Sequence, residues 1–466
     1  MVTAYSYYND TELLHSINVT NVFKLSESFC ALIFEPRSSL ITKHLVLFEG
    51  QNGGFVSSQF HYTYDRNFRI ESTQAEVGDR SLRAVLHSYH PETGRLQKLG
   101  PFTFEYVHAQ REITRDGNVE IIREFDRLGR ATDVWYRFNV DHTVFNLDIK
   151  YDSMGRLHQW IRKIKSSDTK AYDYTYDIDG NLVEVLENSQ STWKYEYDTN
   201  ANIVKISHYG NVRRSVVGKN DRVESSGQES YIYDQDGFLV LRNHEMFEYD
   251  SFGQLYRAFQ TGQYDIRYYY DGLRRLVGRQ DKMADRLVQF FYGDLQKKNH
   301  ITHIYDHQIK KVTRFFYDDR DKLFAMQSES DFFYIGLDPN DSPILVINSV
   351  GSIVKQISYD PLGNPISDSA PDFTFPLGFR SSFMDNVTKL VFLERVVYDP
   401  QLGRRMVPDY DEFLSGTNQL PWNPEAANLY RFNFLKQSTV LESEVSISGI
   451  IISSFHRCVA FGVTSA

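Results

Sequence analysis

The sequence predicts an all-β protein organised as one long antiparallel meander, and three observations lead to this fold class. The dipeptide Tyr-Asp occurs fourteen times, whereas residue frequencies alone would give about two or three copies. Aromatic residues make up 15% of the chain, which is typical of pleated, half-buried strands. The dipeptides recur within a fixed pattern, aromatic-x-Tyr-Asp-x-x-Gly-x-Leu, which describes two strands and the turn between them.

The clearest repeat begins at Tyr172. Tyr172, Tyr174 and Tyr176 fall on one face of an extended strand, and this face is predicted to be buried. Asp177 opens a turn, because its carboxylate can accept the backbone N–H two residues on. Gly180 supplies the positive φ with which the chain leaves the turn. Each repeat therefore predicts one β-hairpin.

Glycines occupy the same turn position in several repeats, and there the pattern predicts a positive φ. These structural turn glycines are Gly155, Gly180, Gly237, Gly253 and Gly363. The copies that begin at Tyr270 and Tyr317 lack the glycine.

Repeats of differing quality follow one another along the chain. Residues 1–60 contain degenerate copies, interrupted by a turn signal at Gln51–Gly54. Recognisable units return from Phe60 onward, and residues 145–330 hold the densest run. Gly351–Ile366 is the last full hairpin. No linker rich in Pro, Ser or Gly divides this run, so we predict one continuous body.

Charge and cysteine content exclude two classes of protein. The net charge is −10 and the pI is about 5.8, whereas a nucleic-acid-binding domain needs a basic face. Cys30 and Cys458 are the only cysteines, which rules out a disulfide scaffold. A single bridge between these two residues is left open.

Sequons for N-glycosylation lie at Asn9, Asn18, Asn340 and Asn386. Pro343 follows the Asn340 sequon and makes it the weakest, so Asn9, Asn18 and Asn386 are the glycosylation candidates. No signal peptide is visible at the start of the chain. The apolar run near residue 450 is too short and too polar to span a bilayer, so we expect no direct membrane insertion.

No pattern of catalytic or ligand-binding residues stands out. Thr175–Gly180 imitates part of a calcium loop, but the loop requires acids where Thr175 and Leu186 stand. Motifs for zinc proteases, phosphate binding and nucleophilic serines are missing from the sequence. We therefore expect no enzymatic activity, no cofactor and no metal.

Longer motifs carry a family resemblance. In the repeats they are Phe247–Leu255, Arg267–Arg275, Phe290–Leu295, Leu323–Met326 and Phe333–Ile335, and near the end they are Gly378–Asp385, Thr388–Val391, Tyr398–Asp409 and Asn428–Tyr430. With these motifs the chain resembles the Tyr-Asp (YD, or Rhs) repeat family and, within it, the teneurins, large cell-surface proteins of animals. The likeness covers roughly residues 50–434.

The resemblance implies a hollow shell: a large, spiralling antiparallel YD/Rhs-repeat β-barrel with a C-terminal Rhs closing element. It divides the chain into a YD-repeat shell (1–366), a closing element (367–436) and a divergent tail (437–466), for which disorder is one interpretation. Two glycines of the family's closing element are replaced here by Ser381 and Ser382.

Bacterial members of the family can cut themselves at the closing element with an arginine and two aspartates. By resemblance, the candidates for a vestigial site of this kind are Arg395 and Asp409. The second aspartate has no match after Asn428–Tyr430. We therefore expect no self-cleavage and favour a structural role for Asp409 in a turn.

The function that the resemblance implies is that of a non-enzymatic extracellular shell in a teneurin-like transmembrane receptor for cell adhesion and signalling. The implied roles are cell–cell recognition, neuronal development and axon guidance, on the extracellular side of the plasma membrane. Implied partners are adhesion receptors of the latrophilin type and further teneurin copies. Specificity is expected to come from loops such as Gln51–Gly54 and Pro339–Pro343.

Two alternative functions compete with this interpretation. One is an Rhs-type cocoon that encloses a toxin and cleaves itself, and the other is a carbohydrate-binding β-barrel, because aromatic faces stack on sugars. Compared with the teneurin plan the chain is a fragment. The sequence leaves open whether it is a short isoform or a truncated gene model.

Overall fold

The computed structural model describes residues 2–7, 14–21, 26–34, 38–49, 55–77, 80–139, 142–165, 168–409, 428, 430 and 431. The predicted tail at 437–466, the sequon at Asn9, Cys458 and the turn Gln51–Gly54 lie outside these residues.

Strands dominate the described residues. In chain order they are β1 (Val2–Tyr7), β2 (Leu14–Asn21), β3 (Ser26–Phe34), β4 (Ile41–Glu49), β5 (Phe55–Tyr64), β6 (Ile70–Val77), β7 (Arg80–Ser81), β8 (Val85–Tyr89), β9 (Leu96–Leu99), β10 (Phe102–His108), β11 (Arg111–Asp116), β12 (Val119–Phe125), β13 (Ala131–Phe138), β14 (His142–Tyr151), β15 (Leu157–Ile164), β16 (Asp168–Tyr176), β17 (Leu182–Glu187), β18 (Gln190–Tyr197), β19 (Ile203–His208), β20 (Asn211–Val217), β21 (Val223–Ser226), β22 (Glu229–Tyr233), β23 (Leu239–Arg242), β24 (Glu245–Tyr249), β25 (Leu255–Gln260), β26 (Tyr264–Tyr270), β27 (Leu276–Asp281), β28 (Arg286–Phe291), β29 (His303–Asp306), β30 (Lys311–Tyr317), β31 (Leu323–Ser328), β32 (Asp331–Leu337), β33 (Pro343–Asn348), β34 (Ile353–Tyr359), β35 (Pro365–Asp368), β36 (Phe383–Met384), β37 (Val391–Leu393), β38 (Val396–Asp399) and β39 (Arg404–Arg405). Short 3₁₀ turns lie at Lys219–Asp221 and Phe379–Ser381.

The strands β1 to β35 belong to one antiparallel sheet of 35 strands. Each strand pairs with the next along the chain, except that β8 pairs with β6 rather than with β7. A separate sheet of four strands, β36 to β39, forms the closing element. The predicted all-β antiparallel fold class is therefore confirmed.

The aspartate of the repeat closes each turn. Oδ1 of Asp152 accepts the backbone N–H groups of Met154 at 2.9 Å and Arg156 at 2.8 Å. The carbonyl of Asp152 accepts the N–H of Gly155 at 3.0 Å. The φ values at the five predicted turn glycines are 84° at Gly155, 87° at Gly180, 87° at Gly237, 75° at Gly253 and 97° at Gly363.

The residue after the turn glycine links one repeat to the next. Nε of Arg156 donates to Oδ2 of Asp152 at 2.8 Å, and the same guanidinium lies 4.5 Å from the ring centroid of Tyr176. The Tyr176 hydroxyl donates to the carbonyl of Leu157 at 2.7 Å. Equivalent hydroxyl-to-carbonyl bonds join Tyr151 to Ala131, Tyr197 to Leu182, Tyr249 to Leu239, Tyr270 to Leu255 and Tyr292 to Leu276.

A β-bulge precedes these tyrosines, except Tyr292, which follows the end of β28. Thr175 pairs with Glu184 but Tyr176 pairs with Leu182, so the return strand accommodates an extra residue. Tyr174 is 8% exposed, whereas Tyr172 and Tyr176 are half-buried. The expectation of one fully buried tyrosine face is therefore only partly right. The bulge between Thr175 and Tyr176, which the pattern of alternation could not reveal, does not account for the exposure of Tyr172.

The sheet curls until its early and late strands meet. The Tyr62 hydroxyl donates to the carbonyl of Gly293 at 3.1 Å, and the rings of Phe60 and Phe291 are 6.3 Å apart. Further along, Phe102 packs edge-on against Phe324 at 4.8 Å. Side chains fill the interior at these contacts, and the hydrophobic core lies between strands that are distant in sequence.

Candidate functional site

The closing element docks on the shell through buried arginines. Nη1 of Arg242, in β23, donates to Oδ2 of Asp399 at 3.0 Å, and Nη2 donates to the carbonyl of Thr388 at 2.8 Å. The side chains of Arg242 and Asp399 are 3% and 1% exposed. Burial opposes the charge of Arg242, but the carboxylates of Asp399 and Glu245 outweigh it and raise the pKa of the guanidinium.

A second buried pair lies two hairpins further on, at β27. Nε of Arg279 donates to Oδ2 of Asp385 at 2.9 Å. The hydroxyl of Tyr268 donates to the same oxygen at 2.9 Å and lies 3.3 Å from Oγ1 of Thr388. Asp385 and Thr388 are 1% and 0% exposed. The turn between β36 and β37 is therefore fixed to the shell by charge-assisted hydrogen bonds.

The family motif at Asn428 and Tyr430 is anchored among amide groups. Nδ2 of Asn428 donates to Oδ1 of Asn202 at 2.8 Å, and Nη2 of Arg404 donates to the same oxygen at 3.0 Å. The Tyr430 hydroxyl donates to the carbonyl of Gly237 at 2.7 Å. A Cβ at Gly237 would lie 2.7 Å from this hydroxyl, so the glycine leaves room for the anchor.

Of the two serines that replace family glycines, Ser381 lies in the left-handed backbone region. Ser381 has a φ of 53°, and its hydroxyl donates to the carbonyl of Asp341 at 2.6 Å. The Arg380 N–H donates to the hydroxyl of Ser342 at 3.2 Å. The turn Pro339–Pro343 therefore lies beneath the closing element. Its role in specificity stays a prediction, and these contacts with the closing element could not be read from a local pattern, because Ser381 lies 40 residues after Asp341 in the chain.

The two self-cleavage candidates have different surroundings. Arg395 is exposed in the turn between β37 and β38. Asp409 is half-buried and forms an ion pair with Arg405, four residues earlier. The structural role favoured for Asp409 agrees with this local pair.

The glycosylation candidates within the described residues also differ. Asn18 is exposed in β2, which pairs with β1 on one side and with β3 on the other. Asn386 is exposed at the turn between β36 and β37, whereas Asn340 is half-buried.

A cleft of about 380 Å³ opens where the shell meets the region of the last hairpin. On one wall the rings of Trp193 and His208 stack at 3.8 Å with an interplanar angle of 12°. Arg213 donates to the carbonyl of Gln401 at 2.6 Å. Asp360 also lines the cleft, and burial raises the pKa of its carboxyl to about 6. The cleft combines an aromatic wall with hydrogen-bonding groups of both kinds.

Two observations on metals and membranes concern the described part of the chain. Its His, Cys, Asp and Glu residues form no group of three or more that could hold a metal ion. None of its helices is long and apolar enough to cross a bilayer.

Cys30 is buried with His44 beside it, 3.4 Å between Sγ and Nε2. Burial raises the pKa of the Cys30 thiol to about 12 and lowers that of His44 to about 3. Both groups are therefore neutral at physiological pH, which leaves the pair without a reactive thiolate.

Comparison with known proteins identifies the family. The family model described as Teneurin YD-shell matches residues 1–436. The chain belongs to the teneurin YD-shell family. It is 33% identical to teneurin-4 of Homo sapiens over 428 residues, which are 90% of this chain and 15% of the relative. With teneurin-3 of Danio rerio it shares 32% identity over 437 residues, 92% of this chain and 16% of the relative.

Solved structures support the same architecture for this YD shell. The crystal structure of TcdB2-TccC3 matches 93% of this chain and 25% of that chain, with a TM-score of 0.60 and 14% identity. At this identity the match concerns the fold alone. The YD shell described here spans about one-sixth or less of the curated teneurins it matches.

Sequence reasoning missed the arginines that hold this YD shell together. Arg242, Arg279 and Arg404 each reach a partner more than 100 residues away, and no local pattern encodes such distances. One signal was available for the repeats: an arginine follows the motif aspartate by four residues at Arg69, Arg130, Arg156 and Arg275.

Proposed function

We propose that the chain is the extracellular YD shell of a teneurin-type receptor for cell adhesion and signalling, and that it acts without enzymatic chemistry. The family match over residues 1–436 carries this proposal. Cell–cell recognition during neuronal development and axon guidance is the role we assign to the parent protein. Partners of the proposed module are adhesion receptors of the latrophilin type and other teneurin copies.

Exposed apolar residues on β20 and β22, the two strands that flank β21, form the surface that we assign to such contacts. Val212 and Val216 lie four residues apart on β20, and Ile232 lies on β22; they are 53%, 55% and 53% exposed. Alternate residues of a strand share a face, so the two valines point the same way. Interfaces of about 800 Å² per partner suffice for specific binding.

The proposal is tested by displaying this chain and a complete teneurin ectodomain on separate cells and scoring aggregation with cells that bear a latrophilin-type receptor. We expect the complete ectodomain to aggregate cells more strongly, because this chain spans a small part of such proteins. Val216→Asp in the complete ectodomain should weaken aggregation, whereas Met154→Asp, at a turn tip that is 77% exposed, should not. Equal aggregation by both variants and the parent would contradict the assigned surface.

A carbohydrate-binding function is the second candidate, and the cleft beside Trp193 favours it. Stacked aromatic rings next to amide, carboxylate and guanidinium groups are the combination that binds a sugar ring. A glycan array probed with the chain and with Trp193→Ala tests this function. Trp135→Ala, on β13 and outside the cleft lining, is the matched control. Binding that survives Trp193→Ala would exclude the cleft.

The toxin-cocoon function receives less support. It requires self-cleavage, and the aspartate that would complete the site has no match after Tyr430. The local pairing of Asp409 with Arg405 argues in the same direction.

A further inference from the structure

Asn386 lies at the tip of a turn, whereas Asn18 lies within a strand and Asn340 is half-buried. Asn386 is exposed at the tip of the turn between β36 and β37, next to Val387, which is 38% exposed. The backbone of this turn is fixed from within, because Oδ1 of Asp385 accepts the N–H of Val387 at 2.8 Å and the Asp385 carbonyl accepts the N–H of Lys389 at 2.8 Å. A substituent on the Asn386 amide would project into solvent.

The threonine of the same sequon is buried, whereas the asparagine is exposed. Thr388 is 0% exposed. Its Oγ1 accepts the N–H of Leu390 at 3.4 Å and lies 3.3 Å from the Tyr268 hydroxyl, while its carbonyl accepts from Arg242 at 2.8 Å. A glycosyltransferase that reads the hydroxyl of the sequon therefore finds it only before the closing element docks on the shell.

We propose that Asn386 carries an N-linked glycan that is attached before the closing element docks. The donor is a lipid-linked pyrophosphate oligosaccharide. The Asn386 amide nitrogen bonds to C1 of the first sugar, the bond from C1 to the pyrophosphate oxygen breaks with its electron pair leaving on the pyrophosphate, and the amide loses one proton. The inference rests on the proposed extracellular location, since only the secretory pathway supplies this donor.

Folding constrains the other sequons of the described residues, because a glycan attached before folding must still fit in the folded state. Asn340 is half-buried, and Ser342 of its sequon is 0% exposed. Asn18 lies within a strand that is paired on both sides. Once attached, a glycan at Asn386 would cover the outer side of the turn that locks the closing element. Protein partners would then be directed to other parts of the surface.

The first experiment tests the site. The full chain is directed into the secretory pathway of animal cells by a cleavable signal peptide, and the secreted protein is digested with a glycosidase that converts glycosylated Asn to Asp. We expect this conversion at Asn386, and Asn386→Gln should remove one glycan from the intact chain. Asn340→Gln should remove none. Secreted, folded chain with an unmodified Asn386 would overturn the inference, and surface labelling of the native protein would still test the proposed location separately.

The second experiment tests the order of events. Unglycosylated chain made in bacteria and a peptide spanning residues 380–392 are each incubated with detergent-solubilised microsomes and the lipid-linked donor. We expect the peptide to be modified and the folded chain to be at least tenfold poorer as an acceptor. Denaturing the chain before the assay should restore acceptance. Equal modification of the folded chain and the peptide would overturn the proposed order.

Discussion

The hydroxyl of Tyr176 donates a hydrogen bond of 2.7 Å to the carbonyl oxygen of Leu157, which begins the return strand of the preceding repeat. The Arg156 guanidinium lies over the same tyrosine ring. Each Tyr-Asp motif therefore has two tasks: its aspartate closes the local turn, and its tyrosine attaches the hairpin to the one before it. A repeat of this kind is stable only when the adjacent repeats are present.

Removal of one such hydroxyl should lower stability. Tyr176→Phe leaves the Leu157 carbonyl without its donor, and we expect the free energy of unfolding to fall by about 1 kcal/mol. Chemical denaturation measures the change. Tyr172→Phe is the matched control on the same strand, since its ring stacks on Trp160 at 4.3 Å and that contact survives the substitution. Equal losses in the two variants would show that the hydroxyl bond contributes nothing specific.

Substitutions at two turn glycines that have the same φ distinguish the cost of backbone strain from the cost of a steric clash. Gly180→Ala places a side chain at a φ of 87° and should cost about 1 kcal/mol. Gly237→Ala has the same φ of 87°, but its new Cβ meets the Tyr430 hydroxyl at 2.7 Å. We expect the second variant to lose more stability and to expose the chain near Tyr430 to limited proteolysis. Identical behaviour of both variants would contradict the anchoring role of Tyr430.

Loss of the buried ion pair between the shell and the closing element should strongly lower the free energy of unfolding. Arg242→Ala leaves the Asp399 carboxylate buried without a counter-charge, and we expect a loss of about 3 kcal/mol or more in unfolding free energy. Arg257→Ala is the control: its partner Asp265 lies in the same hairpin at 2.8 Å, with side chains 25% and 24% exposed, so about 0.5 kcal/mol is expected. In Arg242→Ala/Asp399→Asn the loss should be partly recovered. No recovery would show that the charge of Asp399 is not the cause.

Two buried turn aspartates should make stability fall as pH rises. Burial raises the pKa of Asp338 to about 7 and of Asp360 to about 6. Because these folded values exceed the unfolded value of 3.8, the folded state retains protons that the unfolded state releases between pH 4 and pH 7. Each group then contributes a slope of up to about 1.4 kcal/mol per pH unit.

Denaturation at pH 5 and pH 8 measures this dependence, and Asp338→Asn should flatten it. Asp152→Asn is the control, because the pH dependence expected from Asp152 has the opposite sign. Burial works against the charged form of Asp152, but hydrogen bonds from Arg156 outweigh it and lower the pKa. Its contribution to stability is lost as pH falls. A pH profile that Asp338→Asn leaves unchanged would refute the assignment.

The chain should remain intact at the closing element. Purified protein is expected as one species near 54.4 kDa plus any glycans, because Asp409 pairs with Arg405 and the second aspartate is missing. Mass spectrometry of protein stored for days provides the measurement. Two stable fragments that disappear in Asp409→Asn would establish self-cleavage instead.

The hairpins were predictable because their code is local. Asp152 and Gly155 specify the turn within four residues, and the aspartate keeps doing so where the glycine is lost. In the repeat that begins at Tyr270, which lacks the glycine, Oδ1 of Asp271 still accepts the N–H groups of Leu273 and Arg275 at 2.9 Å each. Arg274 takes the positive φ, 64°. The aspartate therefore determines the turn more strongly than the glycine does.

The candidate sites were less predictable because their contacts are remote in sequence. Arg242 and Asp399 are 157 residues apart, and alternation of polar and apolar residues identifies neighbours within the sheet only. The wall formed by Trp193 and His208 joins adjacent strands and could have been inferred from pairing. The opposite wall at Asp360 and Gln401 depends on how the whole sheet curls.

The curl also determines when the protein can fold during synthesis. Hairpins can form as soon as they leave the ribosome. The hydrogen bond from Tyr62 to Gly293 cannot form until Gly293 has been synthesised, 231 residues later. At translation rates of about 5–20 residues per second this delay is roughly 10–50 s. Throughout that interval Phe60 lacks its packing partner Phe291. We expect the nascent chain to depend on chaperones until its second half emerges, and slower translation to increase aggregation.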